Sequence, residues 1–239
     1  MSEPAIEVLA ENPSLLIVSK PPGITVIPAR SEPPDVCLQR RIERVRGARL
    51  WIVHRIDRDT SGIVVFARDA SAHRRMSIAF EHHRIAKTYR AWVVGDLKED
   101  SARIDAPLHL ARKGHTRLAL PGEAGALASH TRFRVLSRTS TALGTVADLV
   151  VEPLTGRQHQ IRTHLRSIDA PLVVDPIYAR RPTLLAGRLG DDSPAVSRLT
   201  LHSWKMVIPA DAAGGLAVEV EAPLPEDLAR LDAWLGAHR

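Results

Sequence analysis

The sequence predicts a chain of mixed α and β structure, and three observations carry that reading. Short runs rich in β-branched residues recur along it, bounded by Pro, Gly, Asn and Ser. Other stretches repeat their apolar residues at helical spacing, behind residues that can cap or start a helix. Between residues 51 and 68, two apolar runs enclose an insert with two carboxylates, two guanidiniums, an imidazole and two hydroxyls. A polar loop held between two strands is where a fold usually displays its chemistry.

Residues 6–9 alternate like a strand, 11–14 turn, and Leu15-Leu16-Ile17-Val18 is a second strand, closed by Ser19-Lys20-Pro21-Pro22-Gly23. Residues 27–50 are rich in Pro and Arg. Within them 35–46 can form a short basic helix. Residues 51–53 and 63–67 are strands, with Gly62 as the turn into the second. Asp69 or Ser71 caps a helix to about residue 83, with Met76, Ala79, Phe80 and His83 packing inward. Residues 87–95 alternate as a strand. Residues 96–128 are loop-rich, with short strands at 108–110 and 117–120; Arg112-Lys113-Gly114-His115 is a phosphate contact or a solvated hairpin tip. Two sheet strands follow at 131–136 and 145–151. Thr155-Gly156 then turns the chain into a helix whose apolar stripe is Ile161, Leu165 and Ile168, with Arg162 and Arg166 on the neighbouring face. Residues 180–196 form a loop, and 198–206 pairs with 217–220 as a hairpin. A helix at about 225–236 packs Leu228, Leu231 and Trp234.

The chain has 239 residues, 44% of them apolar, and a mean hydropathy of −0.09. No apolar run approaches the ~20 residues that span a bilayer. The N-terminus lacks the basic and apolar parts of a signal peptide. Cys37 is the single cysteine, which excludes an internal disulfide and a Cys-rich zinc site. The expected location is the cytoplasm. The net charge of +6 favours a polyanionic partner, although Arg-rich codon usage alone produces such an excess. His82 and His83 are adjacent, so they point about 100° apart on a helix. His159 and His164 are five apart and lack the Glu of a zinc-protease helix. No metal site is expected.

Residues His54-Arg55-Ile56-Asp57-Arg58-Asp59-Thr60-Ser61-Gly62 resemble the catalytic motif H-R-L-D-x-x-T-S-G of the RluA-like pseudouridine synthases, with Ile56 at the Leu position. Leu16 to Val26 resembles that family's first motif, V-V-N-K-P-x-G. Lys87-Thr88-Tyr89-Arg90-Ala91-Trp92-Val93 resembles K-x-Y-x-A-x-V. Leu154 to Leu165 resembles L-x-T-G-R-x-H-Q-I-R-x-H-L, and Arg198 to Ser203 the late strand R-L-x-L-H-A. The match to G-H-P-I-x-G-D-x-x-Y is partial: Asp169-Ala170 replaces Gly-His and Val174 replaces the Gly before Asp175, while Tyr178 is kept. Gly125-Ala126 lies where members often carry Gly-Lys.

The order and spacing of these motifs cover nearly the whole chain. The resemblance implies an α+β fold: a long mixed, mostly antiparallel sheet with flanking helices and a central active-site cleft. It implies a single catalytic domain over 1–239, with a short tail at about 1–5 and without the small N-terminal RNA-binding domain of some members. The implied activity is that of an isomerase making pseudouridine from uridine in ribosomal or transfer RNA. The reaction is neither redox nor energy-consuming, so it calls for no cofactor. The partner is the RNA itself, with no membrane, no obligate protein partner and a monomer as the default.

By that resemblance Asp57 is the catalytic carboxylate, Tyr89 packs near the target base and Arg162 pairs with Asp57. A carboxylate that must stay ionised in a pocket needs such an opposite charge beside it. Arg55 contacts RNA backbone or holds the loop. Lys20 reaches an RNA phosphate or the catalytic carboxylate, and Arg58 pairs with Asp59 or meets solvent. Arg157 and His159 are further RNA-binding candidates. Three roles for Asp57 are chemically open: attack on ribose C1′, attack on uracil C6, or abstraction of a 2′ proton. The alternative is an RNA-binding protein of the same fold without activity. Readings as a phosphatase around Asp57-x-Asp59 or as an aspartic protease fail on the spacing of Thr60 and the lack of a second motif.

Overall fold

Asn12 starts the first hairpin by chemistry legible in the sequence. Its Oδ1 accepts from the Ser14 and Leu15 amides at 2.9 and 2.7 Å, an Asx turn that reverses the chain. The computed structural model describes residues 6–29, 33–111, 114–178 and 186–239. In chain order these form β1 (Glu7–Glu11), β2 (Leu15–Lys20), α1 (Leu38–Arg46), β3 (Trp51–Ile52), β4 (Ser61–Ala67), α2 (Ala70–Glu81) and β5 (Ala86–Val94). There follow β6 (Ser101–Asp105), β7 (Leu108–Leu110), β8 (Thr116–Leu118), β9 (His130–Thr141), β10 (Gly144–Pro153) and α3 (Gln160–Ser167). Last come β11 (Leu201–Ile208), α4 (Ala210–Ala213), β12 (Val218–Glu221) and α5 (Glu226–Ala237).

Two compact units emerge, one of Met1–Lys87 with Ser203–Pro223, the other of Thr88–His202 with Leu224–Arg239. In the first, β2 lies between β1 and β4, antiparallel to both, with Leu15 opposite Ala67 and Lys20 opposite Gly62. Strand β4 is buried along its whole length, which explains its unbroken apolar run. Alternation splits its two faces. Ile63 and Val65 pack with Ala72, Met76 and Ala79 of α2, while Val64 and Phe66 pack with Leu38 and Ile42 of α1. Asp69 caps α2 as expected, accepting from the Ala72 amide at 2.8 Å.

In the second unit β10 pairs antiparallel with β5 and β9, and β9 with β6. Helix α3 buries Ile161 and Leu165 on one sheet face, against Leu149, Val151 and Phe133. Helix α5 buries Leu228, Leu231 and Leu235 on the other, against Trp92 and Val146.

Several expectations change. Strand β6 and helix α4 were not legible, and β9 extends well past residue 136. Leu235 joins the α5 core beside Trp234, which packs against it half-buried while its indole donates to Asp192 Oδ1 at 2.9 Å. Gly62 is not a turn but lies within β4, at φ 106°, where a Cβ would stand 2.1 Å from the Ser203 carbonyl oxygen. The positive φ near residue 170 falls on Asp169 rather than Val174, and Asp tolerates that region better than a β-branched residue. Tail residues 1–5, Arg112-Lys113 and part of the 180–196 loop lie outside the described residues. No helix among the described residues is long and apolar enough to cross a membrane.

Candidate active site

In the first unit the motif loop 53–60 joins β3 to β4. Strand β3 stops at Ile52, opposite Phe66. At the next position the Val65 amide donates not to backbone but to His54 Nε2, at 2.8 Å. An imidazole thus replaces a strand as acceptor, and the backbone can leave the sheet without orphaning a buried N–H. The His54 ring stacks on Phe80, centroids 4.8 Å apart. Burial, with the Lys87 charge adding to it, pushes its pKa down to about 3. His54 is therefore a neutral strut and not a proton carrier.

The far side of the loop is clamped to the Pro-Pro-Gly turn. The Gly23 amide donates to the Arg58 carbonyl at 3.0 Å, and Arg58 Nε donates back to the Gly23 carbonyl at 3.0 Å. Beneath them Lys20 is 0% exposed. Its ammonium donates to the carbonyls of Pro21, Ile24 and Arg58 at 2.8, 2.9 and 2.8 Å. The expectation that Lys20 reaches RNA is corrected: a fully buried ammonium bound to three backbone oxygens cannot meet a phosphate. Arg58 is exposed, but its Nε holds the turn.

The loop carries two half-buried carboxylates, Asp57 and Asp59; Asp57 lies in a turn closed by the Thr60 amide donating to its carbonyl at 3.2 Å. Thr60 and Ser61 are buried beside it. Arg55 is exposed and makes no ion pair or hydrogen bond among the described residues.

In the second unit Thr155-Gly156 does turn the chain into a helix, but α3 is not half-exposed. Every residue from Gln160 to Leu165 is buried, and of the two arginines only Arg166 is exposed. Arg162, 2% exposed, forms a two-pronged bond to Asp175, Nε to Oδ2 at 2.9 Å and an Nη2 proton to Oδ1 at 2.6 Å. Burial works to raise the Asp175 pKa, but the Arg162 hydrogen bonds and charge outweigh it, helped by the Tyr178 and Ile177 amides. The net shift is downward, so the pair is ionic. The guanidinium also lies over the Tyr178 ring, 4.9 Å from its centroid.

Tyr178 ties this pair to its neighbours. Its Oη accepts from the Thr116 amide at 2.7 Å and lies 2.8 Å from His159 Nδ1. His159 caps α3 in the left-handed region, φ 50°, a conformation that costs a non-glycine residue roughly 1–2 kcal/mol. Gln160 is buried with its amide fully used: Oε1 accepts from Thr155 Oγ1 and the Arg157 amide, and Nε2 donates to the His130 carbonyl and Thr131 Oγ1. His164, fully buried between Thr131 Oγ1 and the Ala106 carbonyl, is structural, and burial lowers its pKa. Arg157 is half-buried, with Nε 3.3 Å from the Ala128 carbonyl. Tyr89 lies on β5 opposite Val151, half-buried at the margin of the α3 core.

The predicted residues therefore fall into two groups. Lys20 at the end of β2 and Arg55, Asp57 and Arg58 in the motif loop belong to the first unit, while Tyr89, Arg157, His159 and Arg162 share the β5–α3 side of the second. Sequence reasoning undervalued His54, Asp175, Tyr178 and Gln160. Each lies inside or beside a recognised motif, and that position was the available signal.

Residues 14–167 match the model of the family described as RNA pseudouridylate synthase. A Nitrosomonas europaea protein named ribosomal large subunit pseudouridine synthase D is 31% identical over 230 residues, 95% of this chain; the chain spans 64% of that relative's length. A Vibrio vulnificus protein named dual-specificity RNA pseudouridine synthase RluA is 30% identical over 86% of this chain and 78% of its own. Among solved structures, human RNA pseudouridylate synthase domain containing 1 superposes with a TM-score of 0.74 at 26% identity. That likeness covers 98% of this chain and 90% of the human one.

Proposed function

The chain belongs to the RluA-like RNA pseudouridylate synthases, a family of RNA-modifying isomerases, and we propose that it converts specific uridines of ribosomal or transfer RNA to pseudouridine with Asp57 as catalytic carboxylate. The observation that carries the assignment to Asp57 is the division of labour in its loop. The neighbouring polar groups His54, Lys20 and Arg58 are committed to holding backbone, and of the two carboxylates in the loop Asp57 is the one at the position of the motif's Asp. The N1–C1′ bond breaks, the base turns, C5 bonds to C1′, the C5 proton leaves and N1 takes up a proton, so the product is an isomer of the substrate and no electrons are gained or lost.

The base has to be extruded from its stack to be handled this way. Tyr89 is the proposed surface for it, offering a ring face and a hydroxyl. Arg162 is proposed as the positive charge that keeps the catalytic carboxylate ionised. Asp175 takes one edge of its guanidinium through Nε and Nη2, which fixes the direction of the rest. Arg55, Arg157 and His159 are proposed RNA contacts. The reading treats 1–239 as one catalytic domain, acting as a monomer in the cytoplasm.

Transcripts of large-subunit ribosomal RNA and of transfer RNA, tritiated at uridine C5, test the proposal. The parent is expected to release tritium from at least one of them, and Asp57→Asn from neither. Equal release by parent and variant sinks the role of Asp57. A folded parent that binds both RNAs and releases nothing favours an inactive RNA-binding protein.

A further inference from the structure

Beyond the site of Asp57, and resting on the reading that this chain binds RNA, we propose that the part of the β6, β9 and β10 face away from α3 that α5 leaves uncovered is a second RNA-backbone surface, where Arg132 and Arg134 hold phosphodiester groups. Leu149 and Val151 of β10 pack toward Ile161 and Leu165 of α3. The alternation of a strand therefore turns Val150 and Glu152 to the other face, and with them their partners on β9. Two cross-strand rows result: Arg103, Arg132 and Glu152, and beside it Ser101, Arg134 and Val150. These residues line a groove of about 380 Å³.

The charges in the groove are not balanced within the fold. Arg103 is satisfied by Asp105, Nε to Oδ1 at 2.7 Å, and Asp105 is shared with His130. Arg132 and Arg134 are exposed and have no hydrogen bond or ion pair among the described residues. Glu152 stands opposite Arg132 in register yet makes no ion pair with it. Arg103 and Arg132 are like charges directly opposite each other, an arrangement that weakens a sheet. An external anion removes that repulsion.

The geometry selects a polymer over a free ion. Arg132 and Arg134 are two residues apart on one strand, so their stems rise about 7 Å apart on one face. Guanidiniums grip phosphate oxygens in a two-pronged manner, and successive phosphates of one strand can meet both. A single small anion near Arg132 would feel the Glu152 carboxylate, whereas a polynucleotide gains from both arginines and from released counterions.

The test compares R132Q/R134Q with R74Q/R188Q, which removes equal charge from exposed arginines elsewhere that also lack partners among the described residues. Binding of the ribosomal and transfer RNA transcripts is measured by filter retention over a salt series. Two lost phosphate contacts lower the slope of log Kd against log salt by about 1.4–1.8. In R132Q/R134Q that loss is expected together with a several-fold rise in KM at unchanged kcat for tritium release. The thermal midpoint is expected at or above the parent's, which shows that the fold is intact. R74Q/R188Q keeps the parental slope. An unchanged slope in R132Q/R134Q, an equal loss in the control, or a parent that binds neither RNA overturns the surface. A parent that shows the slope difference but releases no tritium overturns the isomerase reading and leaves the surface standing.

Discussion

Around Asp57 the polar scaffold and the proposed reactive group are different residues. His54 replaces a strand partner for Val65, Lys20 ties together three carbonyls, and Gly23 and Arg58 exchange bonds. In the other unit Arg162, proposed to act on the carboxylate, is itself a buried member of the network that holds Asp175, Tyr178 and His159. The first region can lose its reactive group and keep its shape. The second cannot. Catalysis and stability should therefore separate on mutation in the first unit and fall together in the second.

The largest effect expected is in activity. Asp57→Asn, similar in shape and half-buried, should cut tritium release by at least about 10³-fold. Its stability should stay within about 1 kcal/mol of the parent's in urea unfolding. A variant that is inactive because it is unfolded would break the comparison.

Arg162→Ala should lose both properties. It leaves Asp175 charged and buried without its partner, a change that typically costs about 3–5 kcal/mol. R162A/D175N should recover part of that loss of stability while remaining inactive, because the buried charge is gone and the guanidinium is still missing. No recovery would mean that Asp175 is not what Arg162 stabilises.

Lys20→Met sharpens the comparison from the scaffold side. Three carbonyls lose their buried donor, at about 1–3 kcal/mol for a group left unsatisfied. Tritium release should fall as the loop loosens, while RNA affinity holds because Lys20 is buried. A clear loss of affinity at intact stability would return Lys20 to the RNA surface.

The smallest effect is a pH dependence. His54 has a folded pKa of about 3 against the ordinary histidine value of 6.5. Between those values the unfolded chain binds more protons. Its contribution to stability is therefore complete above about 6.5 and is lost as pH falls toward 3. One such proton gives at most about 1.4 kcal/mol per pH unit. His54→Gln, whose amide oxygen can accept from Val65, should reduce that slope between pH 6 and 4 (approximate bounds of the same window). His164, lowered by burial in the same direction, sustains the remainder. Equal slopes in parent and variant would show that His54 is not held neutral.

Much of this architecture was legible in advance. The β-branched runs located β2, β4, β5 and β10, and Asp69 marked the start of α2 through a local cap bond that needs only the next turn of chain. The motifs located the two groups of candidate residues. Strand β6 escaped because Ser101-Ala102-Arg103-Ile104-Asp105 shows a single strongly apolar residue, and its strand character comes from pairing with β9. Periodicity reports which side of an element faces a core, and on that basis Arg162 was placed on a flank. It cannot report that every residue from Gln160 to Leu165 is buried, Arg162 included, because that depends on Tyr178 and Asp175 returning from farther along the chain.

The sequence by itself determined the family, the position of the motif loop that carries Asp57 and the order of the main elements, since these rest on residue identity and short-range spacing. Tertiary structure alone decided what the polar residues are for. Lys20 and Arg58 are 38 positions apart, and whether the lysine meets a phosphate or that carbonyl is settled by the turn folding over it. A long charged side chain can serve either end; burial without water leaves it only the acceptors the fold provides.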